Sequence, residues 1–162
     1  MTSMVLSTRA KTFWAVISAV PIMAFFVWDG PSWTTLGLTF LTPVLLALPH
    51  EGLHWVGHRL CGVRARLGIL RGAFGLPTLA VQALEPQTVR SYRLALTLPA
   101  LVLGFLPTAL GVWLGSPPLL LIGLVGLSMA SSDLAVWFHI RPWPDRTLVR
   151  DHPTEVGVLR VD

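Results

Sequence analysis

Cysteine and charge are both scarce in this chain. The single cysteine, Cys61, excludes an intramolecular disulfide and, with no second thiol, a thiolate zinc site; it reads as a small apolar residue at a helix end. Only 12% of the 162 residues are charged while 53% are hydrophobic, and a mean hydropathy of +0.67 excludes an ordinary soluble domain. Internal repeats and low-complexity segments are also lacking, so residues 1–162 read as a single membrane-embedded domain.

What the chain has instead is long apolar runs, at about 12–28, 36–60, 92–114 and 118–140, each long enough to cross a bilayer. The expected fold class is an all-α integral membrane protein: a four-transmembrane-helix bundle with a small β-hairpin-like cytoplasmic insertion. The first run is the shortest, but it lacks a small-residue cleavage site followed by a polar region. The next begins almost at once, so it is read as a retained span.

Positive charge gives the orientation. Lys and Arg fall before the first span (Arg9, Lys11), between the second and third (Arg59, Arg64, Arg66, Arg71, Arg90, Arg93) or after the fourth (Arg141, Arg146, Arg150, Arg160). None lies in the short loops around 29–35 and 115–117. The positive-inside rule then puts both termini, the central loop 61–91 and the tail 141–162 on the cytoplasmic side of a multi-pass cell-membrane protein. Trp28, Trp33 and Trp113 would mark the outer interface, and Trp14, Trp55, Trp137 and Trp143 the inner one. The net charge of +4 therefore reports orientation and contact with anionic membrane lipids. With no aromatic-basic binding module among the arginines, nucleic acid is not an expected partner.

Against this apolar background stands His50-Glu51-Gly52-Leu53-His54, an H-E-x-x-H sequence inside the second span. Positions four apart on a helix share a face, so His50 and His54 can present two imidazoles to one metal ion with Glu51 beside it. A carboxylate at the centre of a span costs about 2.5 to 3.5 kcal/mol on insertion scales, which makes such residues functional candidates. Within the expected spans the acids are Glu51 and Asp133.

A catalytic zinc ion needs a third protein ligand and an open fourth position. Asp133 lies eight residues before Arg141, about 12 Å deep at 1.5 Å per residue. The midpoint of His50 and His54 lies seven residues before Arg59, about 10 Å deep by the same measure. Matching depth makes Asp133 the expected third metal ligand beside His50 and His54. His58, His139 and His152 are the alternatives; by default His58 and His139 are interfacial and His152 is a surface residue. Glu51 is expected to be the catalytic general base, taking a proton from water and passing it to the leaving amine. Pro49, next to His50, deletes a backbone hydrogen bond to the carbonyl near Leu45 and should kink the second span.

The central loop has its own pattern. Val63-Arg64-Ala65-Arg66-Leu67 alternates with period two, Gly72-Ala73-Phe74-Gly75-Leu76-Pro77 supplies turn residues, and an apolar run follows from Leu79 to Leu84. This predicts a hairpin near the inner membrane face. An unpaired strand edge beside the metal could hold an extended peptide by strand addition.

Taken with Glu85-Pro86, Leu98-Pro99, Ser131-Ser132-Asp133-Leu134 and Asp151-His152-Pro153-Thr154-Glu155-Val156-Gly157, the H-E-x-x-H motif resembles the zincin-type membrane peptidases, a bacterial and archaeal family distantly similar to site-2 proteases. The resemblance extends over about 46–157. It implies Zn2+, peptide-bond hydrolysis, and a membrane-associated or transmembrane substrate cut near the cytoplasmic face. His50 and His54 match the metal-binding histidines, Glu51 the catalytic glutamate, and Asp133 the acid that site-2 proteases use as a ligand on a later helix. The chain lacks the N-x-x-P-x-x-x-x-D-G sequence that surrounds that acid in site-2 proteases. A non-catalytic metal-binding membrane protein, or an inactive scaffold descended from a peptidase, is the alternative.

Overall fold

The computed structural model describes residues 3–30, 32–71, 77–155 and 157–161. Three helices, α1 to α3, begin where a hydroxyl side chain takes up a free first-turn amide. Ser7 Oγ accepts from the Ala10 N–H (3.2 Å) to start α1, Thr8–Asp29, and Ser32 Oγ accepts from the Thr35 N–H (3.0 Å) to start α2, Trp33–Leu60. Thr88 Oγ1 does the same for Ser91 at the head of α3, Val89–Pro99. A π-helical segment, Ala100–Phe105, continues α3 into α4, Leu106–Leu114, which stops at Gly115 in the left-handed conformation (φ 60°). After Ser116 come α5, Pro117–Met129, and α6, Ser131–Ile140, bent by 48° from each other.

By length and composition, two helices among the described residues can cross a membrane, Trp33–Leu60 and Val89–Leu114, or three if the bent α5–α6 pair is one span. The apolar part of α1, Thr12–Val27, is shorter. α2 is an inside-out helix. It exposes Phe40, Leu41, Val44, Leu45 and Leu48 and buries Thr35, Thr42, His50, His54, Gly57 and His58. That distribution suits lipid as solvent, with polar groups turned toward the protein. Pro43 and Pro49 both lie inside this helix, which runs through them without ending.

The expected all-α class is corrected to mostly helical with two small antiparallel sheets. One is the expected hairpin, β2 (Ala65–Arg71) with β3 (Pro77–Ala83), pairing Ala65 with Ala83 and Arg71 with Pro77. Of its expected turn, 72–77, residues 72–76 lie outside the described residues, as does the side chain of Trp28, while Pro77 opens β3. The other sheet was not expected. It has four strands in the order β1-β6-β5-β4: β1 is Ser3–Val5, β4 Gln87–Thr88, β5 Leu148–Asp151 and β6 Gly157–Val161. It joins residues from the chain's beginning, its central loop and its tail.

This sheet packs on the base of the helices. Leu6, Val89, Tyr92, Leu96, Ala135, Val136, Ile140, Val149 and Val158 form one buried cluster that welds α3, α6 and the strands. Each fully buried valine or isoleucine there contributes about 1.5 to 3 kcal/mol. Arg93 then fixes where the tail starts. Its Nη2 donates to the carbonyls of Ile140 (2.9 Å), Arg141 (2.8 Å) and Trp143 (2.9 Å), satisfying acceptors left free at the end of α6, and Nη1 pairs with Asp145 (2.7 Å).

Candidate metal centre

Helical periodicity brings the two imidazoles of α2 to one point: His50 Nε2 and His54 Nε2 are 3.3 Å apart. Asp133 arrives from α6, with its Oδ2 3.1 Å from His50 Nε2 and 3.3 Å from His54 Nε2. The bend between α5 and α6 matters here. It makes Asp133 a first-turn residue of a new helix, where free amides and the positive end of the helix dipole favour a carboxylate. His50 and His54 are only 6% and 7% exposed.

Asp133 Oδ2 is buried and accepts no aligned hydrogen bond despite two imidazole nitrogens at its side. Two nitrogens and one oxygen, mutually separated by 3.1 to 3.3 Å, form a nearly equilateral triangle. Donors lying about 2.0–2.1 Å from a tetrahedral zinc ion are separated by about 3.3 Å, so the set fits that ion. Glu51 belongs to the same cluster: ligating atoms of His50, Glu51 and His54 lie within 4.8 Å of one another.

The ring of His54 is oriented from behind. Its Nδ1–H donates to the Ala95 carbonyl (3.0 Å), which leaves the Nε2 lone pair facing the triangle. Two residues make this carbonyl available. Pro99, four residues further along α3, has no N–H to give it. Gly57 lets α3 come close to α2, because a Cβ at that position would sit 2.7 Å from Ala95 Cα. The Leu98-Pro99 pair was visible in the sequence; the rule that a proline frees the carbonyl four residues earlier would have pointed to Ala95.

Glu51 is held by a strand. The Val81 N–H of β3 donates to its Oε2 (2.6 Å), and two residues on, the Ala83 N–H donates to Asp151 Oδ2 (2.5 Å). Strand periodicity puts both amides on the outer edge of β3, away from β2. Asp151 also accepts from the Tyr92 hydroxyl at Oδ1 (2.5 Å), and the Gln82 side chain donates to the His152 carbonyl (3.0 Å). Burial pushes the Asp151 carboxyl above the ordinary aspartate range, against the pull of its bonds from Tyr92 and Ala83. Sequence reasoning gave neither Val81 nor Tyr92 a role.

The alternative ligands are engaged elsewhere. His58 is 3% exposed, its Nδ1 lies 3.1–3.2 Å from the Gln87 amide group, and its ring packs against Tyr92. His139 Nδ1–H donates to the Ala135 carbonyl one turn back (2.7 Å). His152 Nδ1 accepts from the Thr154 and Glu155 amides (3.4 and 3.1 Å), closing a turn in the tail. A cavity of about 430 Å³ opens beside the triangle, walled by β3 from Pro77 to Val81 on one side and by Ala47, Leu96, Met129 and Val136 on another.

An H-E-x-x-H helix with a buried acid brought to it from a second helix is an arrangement that fits a zincin-like metal site, carried here on helices suited to a membrane. The family model described as "Putative zincin peptidase" matches residues 43–148, and the chain belongs to that family. No curated protein and no solved structure matches the chain.

Proposed function

We propose that this protein is a zinc-dependent membrane metallopeptidase that hydrolyses peptide bonds of membrane-associated or transmembrane substrates near the cytoplasmic face. The observation that carries this reading is the triangle of His50, His54 and Asp133 with Glu51 one residue away on the same helix. In this reading the three residues of the triangle would hold Zn2+, which would supply a Lewis acid to polarise the scissile carbonyl and lower the pKa of water. Glu51 is the general base. Its Oε2 is occupied by the Val81 amide, so Oε1 takes the proton from the attacking water and returns it to the leaving amine. The cavity wall from Pro77 to Val81 belongs to β3; Glu51 and Asp151 take the Val81 and Ala83 amides of its outer edge, and an extended peptide would add before Val81, around Leu79, through main-chain hydrogen bonds.

The reading includes four spans with both termini and the central loop on the cytoplasmic side, and membrane lipids as surroundings. Its support is the arginine distribution together with the sheet that joins β1, β4, β5 and β6, since strands that pair must lie on one side of the bilayer. The test is metal content and peptide cleavage by the purified protein in lipid nanodiscs, compared with Glu51→Gln. We expect stoichiometric zinc in both and a loss of turnover of about 10²- to 10⁴-fold in the variant. Zinc retained with unchanged cleavage in Glu51→Gln overturns the role of Glu51. Zinc bound without cleavage by the parent overturns the peptidase and leaves a metal-binding protein.

A further inference from the structure

Asp151 belongs to none of the functions just described, yet both of its carboxylate oxygens are used, and they tie together three separate parts of the chain. Oδ1 accepts from Tyr92 on α3, the helix that also orients His54 through Ala95. Oδ2 accepts from the Ala83 amide on the outer edge of β3. Asp151 itself is carried by β5, whose register is fixed by pairing with Val158 of β6, and by Val149, fully buried in the core beneath it. A rigid base, a buried tyrosine and a strand edge thus meet at one side chain.

The next outward amide along that edge is Val81, about 7 Å away at two residues' rise. It is the one that donates to Glu51. The outer edge of β3 is therefore pinned at two successive points by two carboxylates, one on α2 and one on the tail. With its inner edge paired to β2, a strand pinned on its outer edge at Glu51 alone would be tied there only to the residue it is meant to hold. Asp151 supplies the independent anchor, and Gln82, donating to the neighbouring His152 carbonyl, resists rotation of the strand about its axis.

Resting on the reading of Glu51 as general base, we propose that Asp151 is a positioning residue: by fixing β3 against Tyr92 it sets the place of the Val81 amide, and so the orientation of the Glu51 carboxylate beside the metal-binding triangle. Asp151 lines the same cavity, but its hydrogen bonds go to Tyr92 and to the Ala83 amide and not to the triangle. Its effect travels along one strand over two residues.

The experiment uses the full chain, zinc-loaded in nanodiscs, as parent, Asp151→Ala, Asp151→Asn and Asp145→Ala. Amide hydrogen exchange is resolved at Val81 and Ala83, and zinc content is measured alongside. In Asp151→Ala, exchange should quicken at least about tenfold at both amides with zinc unchanged; in Asp151→Asn, whose one carbonyl oxygen serves only one of the two donors, the change should be smaller. Asp145→Ala loosens the root of the tail at its exposed ion pair with Arg93 and should leave both amides as they are. Faster exchange at Ala83 alone, or no change at either amide, overturns the proposal, and so does loss of zinc in Asp151→Ala.

Turnover supplies the second arm. A misplacement on the order of 1 Å costs about 10²-fold, so kcat should fall about 10- to 100-fold in Asp151→Ala, with KM within about twofold of the parent. Quickened exchange at both amides with kcat unchanged overturns the link to Glu51. An inactive parent defeats the peptidase reading instead, while the Val81 exchange result still decides whether Asp151 positions the strand.

Discussion

Where the π-helical segment and α4 pack on α5, a Cβ on Gly111 would meet the backbone of Leu120, one on Gly126 the carbonyl of Leu103, and one on Gly104 the side chain of Leu127. Where α2 and α6 meet, two imidazoles and a carboxylate face each other at 3.1 to 3.3 Å. Both regions join apolar helices, but by opposite means. In lipid the close approach of small residues is enough to hold helices together through dispersion and backbone contact. The polar junction is therefore not needed for cohesion: burying unpaired charged groups costs several kcal/mol unless something compensates, and a metal ion is the compensation the donor set fits. The same chain solves the packing problem at one place and accepts the expense of chemistry at the other.

The largest effect should come from removing the carboxylate. Asp133→Ala leaves two imidazoles without their third partner, and zinc affinity should drop by more than about 100-fold, beyond the range for losing an outer hydrogen bond. Chelator competition measures it, and unchanged affinity would reduce the polar junction to a structural ion pair. Next in size, Gly126→Leu forces a side chain into the Leu103 backbone and should lower folding stability by about 1 to 3 kcal/mol, read as a lower thermal midpoint, with zinc still bound by the folded fraction. Loss of zinc at full stability would show that the two regions are not separable. Smallest, Pro99→Ala restores an N–H that competes with His54 for the Ala95 carbonyl, and zinc affinity should weaken by about tenfold, again by competition with a chelator.

The parts of this site that could be read from the sequence are the local ones. His50 and His54 share a face by helical spacing alone, and Asp133 stood out because an acid in an apolar run needs a reason. The hairpin β2–β3 followed from alternation and turn residues close together in sequence. The rest depends on distant pairing. β1 with β6, and β4 with β5, are strands of two to five residues that carry no periodicity of their own and exist because a partner far along the chain completes them. The bend ahead of Asp133 was hidden because α5 and α6 are both apolar, so a count of residues along one straight helix missed it. Val81 contributes through its backbone amide, which no side-chain motif can announce.

In the four-stranded sheet β1 has a single neighbour, β6. Ser3–Val5 therefore leaves the ribosome without a mate and must wait until Gly157–Val161 has been made. The H-E-x-x-H helix is synthesised early in that interval, but the strand bearing Asp151 and the partner that sets its register come late. A translation product stalled before Leu148 thus carries the histidines without β5 and β6 beneath them, and the candidate metal site gains that frame only after Gly157–Val161 has emerged.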